Sequence, residues 1–274
     1  MNRPILLDGA MGTQLIKRGV DLGRWPETAN ITATDAVKAI HRSYIDAGSR
    51  IIYACSFGAN SHKLRGCGYG AAELTKAALD NARAAAGEAE VLVALDVGPI
   101  GEMLEPYGEL SEHRARELYT ELAQAGKSAD MAVIETMWDV EEAAIALEAI
   151  KSVSDMPVFV TMTFQAGGRT MCGCSVEDMA ERMEAAGADA VGINCSLGPG
   201  EALPLMKRLR ECTSLPMIAK PNAGMPDPKT GEYKLSPQLF AELMLPVIEL
   251  GTAYAGGCCG TGPEYIAALA EAIG

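Results

Sequence analysis

The sequence Gly251-Thr252-Ala253-Tyr254-Ala255-Gly256-Gly257-Cys258-Cys259-Gly260-Thr261 joins a short apolar run to two adjacent cysteines between glycines. Successive side chains of a strand point to opposite faces, so neighbouring cysteines face one point only where the backbone leaves strand geometry. Glycine permits that departure because it tolerates positive φ and close backbone approach. Taken alone, the stretch is equally consistent with a tight turn that buries two thiols and with a functional site.

The same pattern, a short apolar run followed by an amphipathic helix, recurs along the whole chain. Strands are predicted at residues 5–7, 50–53, 91–97, 131–134, 158–162, 190–193, 217–219 and 252–255. Helices are predicted at residues 36–47, 71–86, 111–128, 140–151, 201–211, 237–249 and 264–273, with one more that starts after Ser175. Thr34, Ser111 and Ser175 are the predicted helix caps.

Eight strand–helix units in 274 residues predict an α/β fold, a single (β/α)8 TIM barrel that spans residues 1–274. The apolar runs barely alternate, which is typical of parallel strands covered on both faces. An open, doubly wound sheet is the alternative, but no G-x-G-x-x-G motif follows the first run and no P-loop is present. We expect neither a linker nor a second domain.

The composition limits the class of protein. Hydrophobic residues make up 49% of the chain, and 36 acidic against 23 basic residues give a net charge of −13. The basic residues form no run, which argues against nucleic acid or an anionic membrane as a partner. No apolar segment resembles a signal peptide or a membrane span, so we expect a cytoplasmic protein. Its eight cysteines are then expected to be reduced, and a cluster among them to be metal-binding or catalytic.

Active sites of (β/α)8 barrels lie where the strands end and the βα loops begin. Polar or thiol residues follow the predicted strands at these points, namely Asp8, Cys55, Asp96, Glu135, Asn194, Cys195, Lys220, Asn222, Cys258 and Cys259. We therefore expect these side chains to converge on one mouth of the barrel.

Cys195 ends the sixth predicted strand, and Cys258 and Cys259 end the eighth, two strands away. Three thiolates that share one ion and leave a fourth position open are typical of catalytic zinc. The alternative is two independent sites of buried thiols. Cys172-x-Cys174 in the fifth βα loop is a rival metal motif, which we predict to be incidental.

The remaining residues favour chemistry on a thiol. The histidines, His41, His62 and His113, have no ligand spacing and are predicted to be exposed. No G-x-S-x-G motif supports a serine hydrolase. Because zinc deprotonates a coordinating thiol, a three-cysteine site without a histidine base favours activation of a substrate thiol. Such a thiolate attacks an electrophilic carbon, of which a methyl group is the simplest.

Four motifs, in order along the chain, resemble the homocysteine S-methyltransferase family. They are Leu7-Asp8-Gly9-Ala10-Met11-Gly12-Thr13, Glu135-Thr136, Gly192-Ile193-Asn194-Cys195 and Gly256-Gly257-Cys258-Cys259-Gly260. The resemblance implies a (β/α)8 barrel, homocysteine as acceptor, methionine as product, and one zinc ion held by Cys195, Cys258 and Cys259.

The resemblance also implies a substrate site. It places the substrate-binding carboxylates at Asp8 and Glu135, where they would hold the ammonium group of homocysteine. The backbone N–H groups around Gly9, Ala10 and Met11 suit its carboxylate. Asn222 would supply a labile oxygen ligand to zinc when substrate is absent.

The methyl donor is a separate question. Lys220-Pro221-Asn222-Ala223-Gly224 with Tyr233 is more similar to the homocysteine module of cobalamin-dependent methionine synthase than to the betaine or S-methylmethionine enzymes. The chain ends directly after its last predicted helix, so we expect methylcobalamin to arrive on a separate corrinoid protein. Two alternatives stay open: a small-molecule donor such as S-methylmethionine or betaine, and a non-catalytic zinc- or thiol-binding subunit of a methyltransfer complex.

Overall fold

The computed structural model describes residues 3–227 and 229–274, and its eight parallel strands alternate with helices as predicted. The strands are β1 (Ile5–Leu6), β2 (Ile51–Tyr53), β3 (Leu92–Val97), β4 (Met131–Met137), β5 (Val158–Met162), β6 (Ala190–Asn194), β7 (Met217–Lys220) and β8 (Thr252–Ala255). The helices are α1 (Met11–Lys17), α2 (Ala29–Thr32), α3 (Thr34–Asp46), α4 (Ala71–Ala86), α5 (Glu112–Ala125), α6 (Val140–Val153), α7 (Val176–Ala186), α8 (Pro199–Cys212), α9 (Pro237–Glu249) and α10 (Pro263–Ile273).

The sheet closes on itself, which confirms the single (β/α)8 barrel and excludes the open sheet. Its strand order is β1-β8-β7-β6-β5-β4-β3-β2. A parallel bridge between Leu7 and Ile51 joins the two ends of that order. The Arg50 N–H also donates to the Leu6 carbonyl at 2.8 Å, so backbone hydrogen bonds join β1 to β2 as they join the other strand pairs.

The interior of the barrel is packed with side chains from all eight strands. This cluster consists of Leu7, Ile51, Tyr53, Ala94, Met131, Val133, Phe159, Ala190 and Ile218, with Tyr254 packed against it. The rings of Phe159 and Tyr254 lie 4.4 Å apart between centroids. The barrel is therefore a filled core rather than a channel, and ligands can enter only at its ends.

The period of two along a strand places charged residues inside the same barrel, above the apolar cluster. Asp96, Glu135 and Lys220 each stand two positions after an interior residue of their own strand, and all three are buried. The C-terminal mouth of the barrel is thus lined by ionisable side chains.

The structure corrects several local expectations. Helix α1 follows directly on the first strand and was not expected, since its seven residues carry little amphipathic pattern. Thr34 is wrong as a helix cap, because α2 runs almost directly into α3 and the Thr34 hydroxyl donates back to the Asn30 carbonyl. Ser111 and Ser175 are confirmed as caps.

Strand β4 extends three residues beyond its predicted end. Its register against β5 shifts between Ile134 and Met137, and Thr136 has φ 61°. Glu135 therefore lies on the strand itself and not in the following loop.

Within residues 3–227 and 229–274, no helix combines the length and the apolar character needed to cross a membrane.

Candidate active site

A cavity of about 380 Å³ opens at the C-terminal mouth of the barrel. It is lined by eight of the predicted site residues, Asp8, Gly9, Ala10, Met11, Glu135, Cys195, Cys258 and Cys259. Cys55, Asp96 and Lys220, which were also expected at this mouth, line it as well. Residues scattered over the whole chain therefore meet in one concave site.

Three cysteines form one cluster in the wall of this cavity. The sulfur atoms of Cys195, Cys258 and Cys259 all lie within 4.8 Å of one another, and those of Cys195 and Cys259 are 3.7 Å apart. A disulfide would require about 2.05 Å, so these are free thiols. The cluster could hold one metal ion, and the alternative of two independent thiol sites is excluded by these distances.

The glycines next to Cys258 and Cys259 bring both thiols to the cluster. Gly260 has φ 82°, a conformation that side-chain-bearing residues rarely adopt. At Gly257 a Cβ atom would lie 2.4 Å from the Thr261 hydroxyl oxygen, so only glycine fits there. The backbone turns immediately after β8, which lets two consecutive side chains point to one side.

Cys195 also stands on unusual backbone. Cys195 has φ 56° and the following Ser196 has φ 54°, both in the left-handed region that most residues avoid. The Cys195 N–H donates to the Lys220 carbonyl at 3.1 Å and so ties the turn to β7. Backbone strain of this kind is held in place by surrounding contacts and is frequent at functional sites.

Asn194 links the cluster to β4, a role that the sequence did not suggest. Its Oδ1 accepts the Thr136 N–H at 2.9 Å, and its Nδ2 donates to the Thr136 hydroxyl at 2.7 Å. Asn194 is fully buried, and it holds the left-handed Thr136 next to the cysteine-bearing strand. It therefore fixes the position of Glu135 relative to the thiols.

A buried ion pair lies beneath the cavity. The Lys220 Nζ is 2.8 Å from the Asp8 Oδ1 and 3.9 Å from the Glu135 Oε2, and it sits 3.6 Å from the centroid of the Tyr53 ring. The second Asp8 oxygen accepts the Tyr53 N–H at 2.7 Å. The sequence predicts that Lys220 lies at the mouth of the barrel but assigns it no role; two positions after Ile218 on β7, it points into the barrel.

The carboxyl groups outnumber this lysine. Burial raises the pKa of Glu135 to about 6 against the opposing effect of Lys220. Burial, together with the charge of Glu135, raises the pKa of Asp96 well above its ordinary value. Burial alone would lower the pKa of Lys220, but Asp8 and its neighbours outweigh that effect, so the lysine stays protonated. Burial likewise raises the pKa of Asp8, against the opposing effect of Lys220. At neutral pH, Glu135 is therefore largely ionised beside a protonated Lys220.

Two buried carboxyl oxygens remain free for a ligand. Within the described part of the chain, the Glu135 Oε2 and the Asp96 Oδ1 have no hydrogen-bond partner. A buried polar atom without a partner is costly, so both are suited to accept hydrogen bonds from a bound molecule. Because its buried carboxyl groups outnumber its one buried lysine, the cavity favours a ligand that carries a cation.

The other predicted residues lie as follows. Asn222 is buried outside the cavity lining, and the described residues offer its Oδ1 no hydrogen-bond partner. Its neighbours pair with the cysteine turn, since the Cys258 N–H donates to Pro221 and the Ala223 N–H to Cys259. Its role as a labile ligand stays a prediction.

Cys172 and Cys174 lie outside the three-cysteine cluster, as expected; Cys172 is exposed and Cys174 is buried. His113 is exposed as predicted, and His62 is only partly so. The expectation is wrong for His41, which is completely buried on α3. Its helix packs against α4 and α10, and burial lowers the pKa of this histidine to about 4.

Comparison with known proteins identifies relatives over nearly the full chain. The family model described as homocysteine S-methyltransferase matches residues 5–273. Methionine synthase of Mycobacterium leprae is 30% identical over 99% of this chain, and betaine–homocysteine S-methyltransferase 1 of Mus musculus is 30% identical over 98%. The chain spans 24% of the methionine synthase and 72% of the mouse protein.

Solved structures share the same fold. The homocysteine methyltransferase MmuM from Escherichia coli, in its metallated form, superposes with a TM-score of 0.83 at 23% identity. The match covers 98% of this chain and 96% of that chain, and an oxidised form of the same protein gives a TM-score of 0.84. At this identity the likeness concerns the fold of the barrel.

We predict that Lys220→Met destabilises the protein by about 3–5 kcal/mol at pH 7, because it leaves buried carboxylates without a counter-charge. The loss should shrink towards pH 5, where Glu135 becomes protonated and needs no partner. Urea unfolding at both pH values measures the effect. As a matched control, Lys151→Met removes the surface pair with Asp189 and should cost at most about 1 kcal/mol. Equal, small losses in both variants would contradict the account.

Proposed function

Because the chain belongs to the homocysteine S-methyltransferase family, we propose that it transfers a methyl group to the thiol of homocysteine and forms methionine. One observation carries this proposal. A single cavity joins a cluster of three thiols to buried carboxyl groups that lack partners. These are the groups needed to hold a metal at one end of an amino thiol and its ammonium at the other.

We assign one zinc ion to Cys195, Cys258 and Cys259. Zinc–sulfur bonds of about 2.3 Å in a tetrahedron put two sulfur atoms about 3.8 Å apart. The observed 3.7 Å between Cys195 and Cys259 fits that spacing. Soft thiolates select zinc over magnesium or calcium, and three protein ligands leave one position free. When bound, the zinc would supply a Lewis acid that keeps a substrate thiol in its thiolate form at neutral pH.

Glu135 and Asp8 would bind the ammonium group of homocysteine. Glu135 is the freer of the two, since both Asp8 oxygens are already engaged by Lys220 and Tyr53. Each carboxylate oxygen accepts more than one hydrogen bond, so Asp8 can still contribute. The ammonium would donate to the Glu135 Oε2, which has no hydrogen-bond partner among the described residues. Lys220 would hold Asp8 in place and prevent a larger excess of charge.

The turn of Gly9, Ala10 and Met11 would receive the substrate carboxylate. The Ala10 N–H is already donated to the Thr261 carbonyl at 3.1 Å, so Ala10 shapes the turn rather than donating to substrate. Met11 opens α1, and the first N–H groups of a helix have no partner within it. Together these residues orient the amino acid so that its thiol points towards the cysteines.

For the methyl donor we propose a methyl-corrinoid, in the form of methylcobalamin, held by a protein segment outside this barrel. The similarity to methionine synthase supports it, although that whole protein is about four times as long as the matched part. A small-molecule donor such as S-methylmethionine or betaine is the second candidate. It is favoured by the equally similar mouse betaine–homocysteine enzyme, most of whose length this chain covers.

Cys258→Ser tests the metal site. We expect the variant to lose both stoichiometric zinc and methionine formation, because two thiolates do not retain the ion as three do. Zinc content by atomic absorption and turnover are measured on the same preparation. Cys212→Ser, an exposed cysteine on α8, is the matched control and should keep both. A Cys258→Ser variant that is metal-free and fully active would refute the zinc proposal.

The donor is tested by offering homocysteine with methylcobalamin, S-methylmethionine or betaine in separate reactions. We expect methionine from methylcobalamin and none from the other two compounds, since the proposed donor is a methyl-corrinoid. Methionine from S-methylmethionine or betaine alone would replace the corrinoid proposal with the second candidate. Tight homocysteine binding without turnover on any donor would instead support a non-catalytic subunit of a methyltransfer complex.

A further inference from the structure

Asp96 lines the active-site cavity but has no part in the function proposed above. It stands two positions after the interior residue Ala94 on β3, so its side chain points into the barrel. Ser56, in the loop after β2, fixes the backbone at this point. The Asp96 N–H donates to the Ser56 hydroxyl at 3.1 Å, and that hydroxyl donates to the Asp96 carbonyl at 2.8 Å. The carboxyl group is thus held in the cavity by the strand that carries it.

Glu135 on the neighbouring strand lies next to Asp96. Asp96 pairs in register with Val133 of β4, and Glu135 follows Val133 by two positions on the same interior face. The two acidic residues are only 8% and 9% exposed. Each keeps one buried oxygen, the Asp96 Oδ1 and the Glu135 Oε2, without a hydrogen-bond partner in residues 3–227 and 229–274. Two adjacent carboxyl groups of one cavity therefore lack a donor, and one ligand group could supply it to both.

Asp8 is the less available carboxyl group of the cavity. Its Oδ1 lies 2.8 Å from the Lys220 Nζ, and its Oδ2 accepts the Tyr53 N–H at 2.7 Å. A ligand cation that approached Asp8 would meet the Lys220 ammonium there, and like charges repel at short range. Lys220 is 3.9 Å from Glu135, and within the described chain it forms no ion pair with Asp96. The side of the cavity formed by Asp96 and Glu135 is therefore the more favourable place for a second cation.

This side of the cavity suits an ammonium ion better than a metal ion. Among the described residues, the side chains spaced closely enough to share one metal are the three clustered cysteines, and Asp8, Asp96 and Glu135 do not form such a group. The Lys220 ammonium beside them would also repel a divalent cation more strongly than a monovalent one. An ammonium group has three N–H donors, so it can serve two separate acceptors at once.

We propose that Asp96 binds the acceptor substrate and shares the ammonium group of homocysteine with Glu135. The inference rests on the proposed function, because it adds a substrate-binding residue to the same site. Burial and the charge of Glu135 raise the pKa of Asp96, so this carboxyl is protonated in the free cavity. A protonated carboxyl still accepts through its carbonyl oxygen, and a bound ammonium favours the ionised form. Asp96 and Glu135 thus select a thiol that carries an amino group over one that lacks it.

Calorimetric titration of the zinc-loaded protein with two thiols tests this proposal without any methyl donor. L-Homocysteine carries the amino group, and 4-mercaptobutanoate is the same molecule without it. We expect the wild type to bind homocysteine more tightly than 4-mercaptobutanoate. Asp96→Asn should weaken homocysteine binding roughly tenfold, because the ammonium loses a partner that can ionise. Asp96→Leu, which removes both oxygens, should weaken it at least as much, and neither variant should change the binding of 4-mercaptobutanoate.

Asp155→Asn is the matched control. Asp155 is exposed in the loop before β5, at the opposite end of the barrel from the cavity. This variant should bind both thiols as the wild type does. Thermal unfolding verifies that all variants are folded.

The outcomes separate this inference from the proposed function. A wild type that binds neither thiol contradicts the proposed acceptor site, and the role of Asp96 with it. A preference for homocysteine that persists unchanged in Asp96→Asn and Asp96→Leu overturns the role of Asp96 and leaves the proposed function intact. Equal weakening of both thiols also overturns it, because Asp96 would then shape the cavity without contacting the amino group. A wild type that binds the two thiols equally does the same, since no selection for the amino group would exist.

Discussion

The ammonium group of Lys220, buried inside the barrel, is the interaction on which the site depends. It contacts Asp8 from the first strand–helix unit and lies near Glu135 from the fourth, while its own strand is the seventh. Charged groups pay a large desolvation cost when they leave water, and only close pairing offsets it. The barrel meets this cost by placing one lysine against Asp8 and near Glu135. Under the proposed function, the Glu135 oxygen that has no hydrogen-bond partner within the described chain would receive the ammonium group of the substrate.

The thiol cluster depends on a different constraint, the strained backbone at the ends of β4 and β6. Thr136, Cys195 and Ser196 all have positive φ, and Asn194 connects them through two hydrogen bonds to Thr136. A change of backbone conformation at any one of these residues would change the direction of Glu135 or of the Cys195 thiol. The three sulfur atoms and the carboxylate are therefore positioned as a unit, which suits a substrate that must reach both.

Much of this arrangement could be predicted from the sequence, because a (β/α)8 barrel converts chain order into position. Cys195 and Cys258 were expected to meet because each follows a strand and two such strands are close. The role of Lys220 could not be read in the same way, since a lysine at the end of an apolar run is usually solvated. Its burial became evident only from the structure, in which Ile218 points into the barrel and Lys220 follows two positions later on β7. The prediction that His41 is exposed was wrong for a similar reason, because the sequence of an amphipathic helix does not reveal which neighbouring helices cover its polar residues.

The proposed function requires that Cys195, Cys258 and Cys259 hold a zinc ion and that the thiol of homocysteine is added as its fourth ligand. Zinc K-edge X-ray absorption of the purified protein, with and without homocysteine, tests this requirement. We expect three sulfur neighbours at about 2.3 Å in the free protein and four after homocysteine is added. A sulfur count that stays unchanged on addition of homocysteine would contradict it.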